Sequence, residues 1–269
     1  MLFRSAFFGT RRIKWPEESL PLMETALEVL ERRRQAPPKL QVTIDTTTLF
    51  DGERKLGLGS SAAAAVLLTG VLLGQNGADA APGIGTALFS AALEIHRKLQ
   101  GGRGSGYDVA ASLFGGVLRF SGGEKPEVER VSIPWLPSFY LVPGEAAVHT
   151  GGAVEAYRRW KSARPEAAGE FLSHSNALVS RFLDSSCRRE GADALREAKS
   201  AGEKLGRSIG VDTGFRPPVG CSEEGAVVKP VGAGGELALF FAEKEQLTLP
   251  PECNAIGPLR PGERGISWE

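Results

Sequence analysis

Residues 55–65 read Lys-Leu-Gly-Leu-Gly-Ser-Ser-Ala-Ala-Ala-Ala, a glycine turn followed by a run of alanine. Gly57 and Gly59 allow a tight turn and a close approach of the backbone to a ligand. Ser60 or Ser61 then caps a helix whose first turns are almost entirely alanine. The free N–H groups and the positive end of the helix dipole form an anion site, for which phosphate is the common ligand. The small alanine side chains leave room for a bulky nucleotide.

This glycine turn allows three interpretations. It could be a plain turn ahead of a buried helix. It could be a dinucleotide fingerprint, because the two glycines and Ala62 match G-x-G-x-x-A and Asp79 lies about twenty residues further on. Residues 51–55 argue against the fingerprint, since this polar run cannot be the buried parallel strand that it requires. The third interpretation is another kind of phosphate loop, beside which Lys55 adds a positive charge.

The composition is that of an ordinary globular chain. The 269 residues are 42% hydrophobic and 24% charged, which is enough for one large domain or two small ones. Lysine plus arginine and aspartate plus glutamate number 32 each, so no charge excess indicates a nucleic-acid partner. The apolar stretch 62–73 is too short to span a bilayer, and residues 1–15 do not read as a signal peptide. We therefore expect neither a nucleic-acid nor a membrane partner.

Cysteine and histidine are sparse. The sequence has three cysteines, an odd number, and no two of them have the spacing of metal ligands. They are Cys187, Cys221 and Cys253. Reduced thiols in a cytoplasmic protein are therefore expected. The three histidines, which are equally scattered, are His96, His149 and His174. A zinc site is not expected from this pattern.

Helical and strand periods are mixed along the chain without strict alternation. Apolar residues recur at helical spacing over 20–34, and residues 40–44 alternate as in a half-buried strand. Further helices are expected at 60–74, 86–99 and 109–114 and, with breaks near 164–165 and 190–191, between 154 and 207. Further strands are expected at 117–120, 139–142 and 237–242. Residues 1–19 show no clear period, and the Gly-, Glu- and Pro-rich stretch 121–138 is the candidate domain boundary. The pattern favours an α+β fold over a doubly wound sheet.

A second glycine cluster occupies residues 101–116, which read Gly-Gly-Arg-Gly-Ser-Gly-Tyr-Asp-Val-Ala-Ala-Ser-Leu-Phe-Gly-Gly. Asp108 follows the glycine turn directly, at the start of a predicted helix. Its carboxylate could simply cap that helix, or it could act on a bound ligand. Arg103 could contact a substrate phosphate or be a solvated loop charge. The residues alone leave these alternatives open.

Both clusters resemble motifs of the GHMP kinases, small-molecule kinases named for galactose, homoserine, mevalonate and phosphomevalonate. GLGSSAA at 57–63, ahead of an Ala/Leu/Val helix, is similar to the second motif of that family. Residues 105–108 match its S-G-x-D segment. KPVGAGGE at 229–236 is similar to the third motif, K-P-x-G-A-G-G-G, with Glu236 in place of the last glycine.

The resemblance covers roughly residue 17 to the C-terminus and implies an α+β, two-lobed GHMP kinase fold. Residues 1–135 would form the N-terminal ATP-binding lobe, which is like domain 2 of ribosomal protein S5. Residues 136–269 would form an α/β C-terminal lobe. The first motif of the family, of the type P-G-K…G-E-Y, is absent from the sequence, and the usual N-terminal strands are expected to be missing. We expect either a coding sequence that begins upstream or a truncated variant.

The resemblance also implies residue roles. ATP and Mg²⁺ would bind in the cleft between the lobes, Asp108 and Lys55 would be catalytic, and Ser61 would hold Mg²⁺. The ATP phosphates would contact Gly57, Leu58, Gly59, Ser60, Ser61 and Ala62. The substrate would contact Arg103, Ser105, Gly106, Thr150, Gly232, Ala233, Gly234 and Gly235.

Within the family, KLGLGSS at 55–61, GSGYDVAASLFGG at 104–116 and ESLPLMETALEVL at 18–30 are most similar to the phosphomevalonate kinase branch. This implies ATP-dependent phosphorylation of (R)-5-phosphomevalonate to the diphosphate in the isoprenoid-forming mevalonate pathway. Two alternatives are another GHMP kinase, acting on mevalonate or homoserine, and a non-catalytic GHMP-like binding protein. The absent first motif, Glu236, and Val231, which stands where that branch usually has serine, favour the non-catalytic alternative. No oligomeric state follows from the sequence.

Overall fold

The alanine-rich stretch after the first glycine turn is a buried helix, Ser60–Leu72, in a computed structural model of the chain. The structure describes residues 2–4, 12–14, 19–33, 42–45, 50–51, 54–55, 58–73, 84–102, 104–144, 150–222, 224–232, 234–235, 237–242, 247–262 and 265–266. The chain divides into unit 1, Met1–Ser132 with Pro261–Glu269, and unit 2, Ile133–Arg260. None of the helices described combines the length and the apolar character that crossing a membrane requires.

Unit 1 packs helices beside short strands. Its helices are α1 (Pro21–Arg32), α2 (Ser60–Leu72), α3 (Ile84–Leu99) and α4 (Tyr107–Phe114). Its strands are β1 (Leu2–Arg4), β2 (Arg12–Lys14), β3 (Thr43–Asp45), β4 (Phe50–Asp51), β5 (Arg54–Lys55), β6 (Val117–Ser121) and β7 (Glu127–Val131). β1 lies between β2 and β3, antiparallel to β2 and parallel to β3. β4 with β5, and β6 with β7, form two separate antiparallel pairs.

Helix α2 has apolar residues on all sides, and opposite sides of it are packed against other helices. On one side, Leu68 packs in a cluster with Leu30 of α1. On another side, Ala62 and Val66 pack in a second cluster with Leu93 of α3 and residues of α4. A helix that is apolar on all faces is stable where those faces are covered. The start of α2, which follows the first glycine turn, is therefore fixed between α1, α3 and α4.

The predicted helices and strands of unit 1 form, with three differences. The antiparallel pair of β4 and β5 was not predicted. Residues 1–19 show no clear period in the sequence, yet β1 and β2 form there. Strands of three residues are too short to show a period. Strand β7 lies in the stretch 121–138, which is the candidate domain boundary and in which no strand was predicted. Only Val128 and Val131 of β7 are partly buried and its charged residues are exposed, so its apolar content is too low to predict a strand.

Unit 2 is built on one four-stranded sheet. Its helices are α5 (Thr150–Ala163), α6 (Pro165–Leu183) and α7 (Arg188–Ile209). Its strands are β8 (Phe139–Pro143), β9 (Ala226–Pro230), β10 (Leu237–Ala242) and β11 (Ile256–Leu259), antiparallel in the order β9-β10-β8-β11. Val228 pairs with Phe240, and Leu239 pairs with Leu141. Strand β9 lies in a glycine-rich stretch and was not predicted.

The break between α6 and α7 falls earlier than predicted. The sequence placed it near 190–191, whereas α7 begins at Arg188. Glu190 reaches back to Ser186, whose backbone N donates to its Oε2 at 2.8 Å and whose hydroxyl donates to it at 3.0 Å. A glutamate in the first turn that satisfies a donor ahead of the helix stabilises the helix start. The carboxylate of Glu190 therefore belongs to the beginning of α7.

The sheet of unit 2 is buried on both faces. Phe240 and Phe241 are neighbours in β10, and both are fully buried. Because successive side chains of a strand point to opposite faces, they enter different clusters. Phe240 packs with Phe215, and Phe241 packs with Ala192 of α7. Two covered faces explain why residues 237–242 read as a continuous apolar run instead of an alternating one.

The cysteines differ from the sequence expectation. Cys221 and Cys253 form a disulfide bond, and Cys187 is free and exposed. The prediction of three reduced thiols is therefore wrong for the two cysteines that pair. They are 32 residues apart in the sequence, and both are buried in the cluster that contains Phe240. Packing on the sheet brings them together, and a local sequence pattern does not show packing of this kind.

Candidate active site

The first glycine turn ends at Gly59, where α2 begins. Gly59 has a φ of 76° and a ψ of 30°, in the left-handed region that glycine adopts without side-chain strain. Its carbonyl accepts the first helical hydrogen bond, from Ala63 N at 3.0 Å. Among the described residues, no side chain caps this helix end. Ser60 is buried and Ser61 is exposed, so the first turn presents N–H groups and one hydroxyl to an anion.

The second glycine turn ends at Gly106, where α4 begins. Its φ is 94°, and a β-carbon there would lie 2.3 Å from Cδ1 of Leu93 in α3. Asp108 lies in the first turn of α4 with its side chain 25% exposed. Its Oδ1 accepts a hydrogen bond from Val109 N at 3.0 Å. The N-cap residue is Gly106, so the alternative that Asp108 is the helix cap is wrong.

The two glycine turns meet inside unit 1. A β-carbon at Gly59 would lie 3.6 Å from Cβ of Asp108, which is van der Waals contact. His96 of α3 lies beside both turns and is fully buried. Its Nε2 is 3.3 Å from Ser61 Oγ and 3.6 Å from Asp108 Oδ2. The amide nitrogen of Gln100 lies 3.2 Å from the same ring nitrogen.

Arg97 holds the second glycine turn in place. Its Nε donates to Gly104 O at 3.0 Å. One terminal guanidinium nitrogen donates to Ser105 O at 3.2 Å and to Gly123 O at 2.7 Å. Hydrogen bonds from a charged, planar donor are strong and directional. The backbone that leads into α4, and so to Asp108, is thereby fixed relative to α3.

The third motif forms a packed turn between β9 and β10 in unit 2. Gly234 N donates to Val231 O at 3.2 Å, and Val231 N donates to Leu237 O at 3.0 Å. A β-carbon at Gly234 would lie 2.5 Å from the backbone oxygen of Thr213, so the turn leaves no room for a side chain there. Gly232 belongs to the same turn, and Gly235 is buried in it.

Two side chains in these motifs have shifted pKa values. Desolvation and, to a lesser degree, the Asp108 carboxylate raise the pKa of the Tyr107 phenol, although the residue is 56% exposed. Tyr107 therefore stays a protonated donor next to Asp108 at neutral pH. In unit 2, burial lowers the pKa of Lys229, the first residue of the third motif. Its Nζ donates to Pro230 O at 2.7 Å.

Some predicted site residues stay predictions because the structure does not describe them fully. Outside the described residues lie Gly57, Arg103, Ala233 and Glu236. Lys55 ends β5 and Thr150 begins α5, without a described side chain. Leu58 is 39% exposed, and Ala62 is fully buried. The structure thus brings Ser61 and Asp108 together within unit 1, whereas Thr150 and the third motif belong to unit 2.

The oxygen atoms at the two helix starts fit a magnesium nucleotide. The Ser61 hydroxyl and the Asp108 carboxylate are hard oxygen donors of the kind that Mg²⁺ takes. In the described part of the chain, no three His, Cys, Asp or Glu side chains lie close enough to bind a metal by themselves. Mg²⁺ does not require such a cluster, since it is commonly bound by one or two protein groups together with substrate phosphates.

Sequence reasoning missed His96 and Arg97, which are neighbours near the end of α3. His96 stands four residues after Ala92 and eight after Leu88, and all three are buried. A count along the apolar stripe of the helix would therefore have found a histidine in the core. Arg97 gave no such signal, because its partners are backbone carbonyls whose positions a sequence does not show.

One family model matches part of the chain, and several solved structures share its fold. Residues 21–116 match the family model described as GHMP kinases N terminal domain. Among solved structures, the Lin0012 protein from Listeria innocua has a TM-score of 0.72 and 20% identity, over 91% of this chain and 79% of that one. Streptococcus pneumoniae phosphomevalonate kinase, in complex with phosphomevalonate and AMPPNP, has a TM-score of 0.66 and 17% identity, over 91% and 80%. L. major mevalonate kinase, in complex with R-mevalonate, has a TM-score of 0.55 and 16% identity, over 82% and 68%.

The matched segment contains both glycine turns and Asp108. The fold and these turns first define the chain as an α+β protein with the architecture of small-molecule kinases. Residues 21–116 are similar to the N-terminal domain of the GHMP kinases, and the fold of the chain resembles that of phosphomevalonate kinase. The predicted resemblance to the GHMP kinases and the predicted fold class are confirmed. At these identities the likeness to each solved structure shows the fold alone, and no curated protein sequence matches the chain significantly.

Proposed function

We propose that this chain is an ATP-dependent kinase that phosphorylates (R)-5-phosphomevalonate to 5-diphosphomevalonate. The observation that carries the proposal is the closeness of Asp108 to the start of α2, where a β-carbon on Gly59 would lie 3.6 Å from Cβ of Asp108. A helix start that can bind phosphate and a carboxylate beside it are two parts that phosphoryl transfer needs in one place. Residues 1–135 would be the ATP-binding lobe and residues 136–269 the second lobe of the enzyme.

Each group at the two turns has a role in this proposal. The N–H groups from Gly57 to Ala62 would bind the ATP phosphates, and Ser61 would hold Mg²⁺, which supplies charge neutralisation on the phosphates. Lys55 would offset the negative charge of two approaching phosphates. A phosphate monoester has a second pKa of about 6, so the acceptor is largely a dianion at neutral pH. Asp108 would therefore mainly orient the reacting groups instead of removing a proton.

The acceptor side of the proposal comes from the family resemblance. The acceptor would be bound by Arg103, Ser105, Gly106, Thr150, Gly232, Ala233, Gly234 and Gly235. The likeness of residues 104–116 to the phosphomevalonate branch supports phosphomevalonate over mevalonate or homoserine.

A non-catalytic GHMP-like binding protein is the second candidate. Glu236 stands where the third motif of the family has glycine, and a carboxylate there can repel phosphate. Val231 stands where the phosphomevalonate branch usually has serine. These two departures are the observations that favour binding without turnover.

A coupled ADP-release assay with Mg-ATP separates the two candidates. Phosphomevalonate, mevalonate and homoserine are compared at matched concentrations. We expect ADP release with phosphomevalonate alone. Release with mevalonate or homoserine instead would keep the kinase class and change the acceptor. A folded chain that binds ATP and releases ADP with none of the three would overturn the kinase proposal and favour the binding protein.

Replacing Asp108 tests the residue on which the proposal depends. Asp108→Asn should lower kcat by about 10²-fold or more, because orientation of the reacting groups is lost, while ATP binding is retained. Asp184→Asn, at an exposed position after α6, is the matched control and should leave kcat unchanged. Turnover of Asp108→Asn within about tenfold of the wild type would contradict the assigned role.

A further inference from the structure

His96 is a fully buried polar side chain that the sequence motifs do not include. It lies in α3, whereas Ser61 lies in α2 and Asp108 in α4. Burying an imidazole without hydrogen-bond partners costs free energy. The polar surroundings of Nε2, namely Ser61 Oγ at 3.3 Å and Gln100 Nε2 at 3.2 Å, offset that cost.

The packing around His96 fixes its backbone. Ile95, the residue before it, is fully buried in the cluster of α1 and α2. Ala92 and Leu93, one turn earlier, are buried in the cluster of α2 and α4. Because close-packed interiors resist displacement, the ring can serve as a fixed reference for the two helix starts beside it.

One ring nitrogen faces both predicted site residues. In a neutral imidazole, a ring nitrogen is either a donor or an acceptor. As an acceptor, Nε2 takes a hydrogen bond from the Ser61 hydroxyl. As a donor, it points its proton toward the Ser61 oxygen or toward Asp108 Oδ2, 3.6 Å away. The tautomer of His96 therefore sets the direction of the Ser61 hydroxyl and decides whether a ring proton faces the carboxylate.

We propose that His96 is a positioning residue that couples the orientation of the Ser61 hydroxyl to that of the Asp108 carboxylate for phosphoryl transfer. The inference rests on the proposed kinase function, which places Ser61 at the metal and Asp108 at the reacting phosphates. Without His96, both side chains keep their backbone positions but lose a common partner. A misplacement of about 1 Å at a reacting centre can cost about 10²-fold in rate.

Two amide substitutions test the contact through Nε2. His96→Gln places an amide near the position of Nε2, and His96→Asn places one near Nδ1. We expect His96→Asn to lower kcat by about 10²-fold, with the KM values of ATP and acceptor changed by less than about threefold, and His96→Gln to recover at least about tenfold of the loss. His174→Asn, at an exposed position in α6, is the matched control and should leave kcat unchanged.

A second readout does not depend on turnover. The chain has three histidines, so nitrogen NMR of the ¹⁵N-labelled imidazoles gives few signals, and His96 is assigned from its substitution. The His96 Nε2 resonance of the full chain should shift in Ser61→Ala and in Asp108→Asn, and stay unchanged in Asp184→Asn. A His96 resonance that responds to neither substitution would overturn the inference.

The kinetic outcomes separate this inference from the proposed function. Equal kcat values for His96→Gln and His96→Asn, or a loss confined to KM or to thermal stability, would show a merely structural role and overturn the inference alone. If the wild-type chain releases no ADP with any of the three acceptors, the proposed function is overturned. The catalytic consequence of the His96 contact is then overturned with it.

Discussion

Replacing Gly106 by alanine should destabilise unit 1 for two separable reasons. The φ of 94° is one that an L side chain adopts only under strain, which costs about 1–2 kcal/mol. The new β-carbon would also lie 2.3 Å from Leu93 Cδ1, and overpacking of this kind costs about 1–3 kcal/mol. Gly106→Ala is therefore expected to lower the free energy of unfolding by about 2–5 kcal/mol. It should also lower kcat, because Gly106 is the N-cap of the helix that carries Asp108.

Gly102→Ala is the matched control for this prediction. Gly102 lies in the same loop and has a φ of 79°, but a β-carbon there would meet no heavy atom of the described residues within 4 Å. It should show the backbone strain alone, about 1–2 kcal/mol. Combining Gly106→Ala with Leu93→Ala removes the clashing methyl group. The double variant should therefore lose about 1–3 kcal/mol less free energy of unfolding than the two single variants lose together.

Urea unfolding curves of the wild type and these variants measure the free energies of unfolding. Equal losses for Gly106→Ala and Gly102→Ala would refute the reasoning, since they would leave no cost for the approach to Leu93. Additive losses in the double variant would refute it independently.

Two further predictions concern Arg97 and Lys229. Arg97→Ala removes a charged donor from three loop carbonyls and should lower kcat about tenfold. Arg97→Lys should recover only part of the lost kcat, because lysine lacks the planar guanidinium group. An unchanged kcat in the alanine variant would contradict this prediction. Burial lowers the pKa of Lys229 in the folded chain below 10.5, its ordinary value. Between these two pKa values the unfolded chain binds more protons than the folded chain, so the free energy of unfolding rises with pH. Urea midpoints across that window should rise less in Lys229→Met than in the wild type or in the exposed control Lys204→Met, and an equal rise would count against the burial of that charge.

The parts of the fold that are local in sequence could be predicted, and those that depend on distant pairing could not. Helices α2 and α3 and strand β10 each contain enough apolar residues to show a period or a continuous run. Strand β1 has three residues and exists by pairing with β2 on one side and with β3 on the other. Such strands gain their stability from partners that a local window of sequence does not contain.

The candidate site shows the same division. Motif resemblance selects Gly59, Ser61 and Asp108 from the sequence, because each belongs to a recognisable local pattern. Their closeness in space depends on the packing of α2 against α4, which no motif contains. His96 is an intermediate case, since its place on a buried helical stripe could be counted, whereas its distances to Ser61 and Asp108 follow only from the packed helices.

The disulfide bond gives unit 2 a closed ring within its chain. The ring runs from Cys221 to Cys253 and contains β9, the third glycine motif and β10, while β8 lies on the tail before it and β11 on the tail after it. A protease that cuts once inside the ring opens it without releasing a fragment, because the two pieces stay joined through the sulfur atoms. The third motif can therefore be nicked and still remain covalently attached to both tails, until a reductant turns the nicked ring into two separate polypeptides.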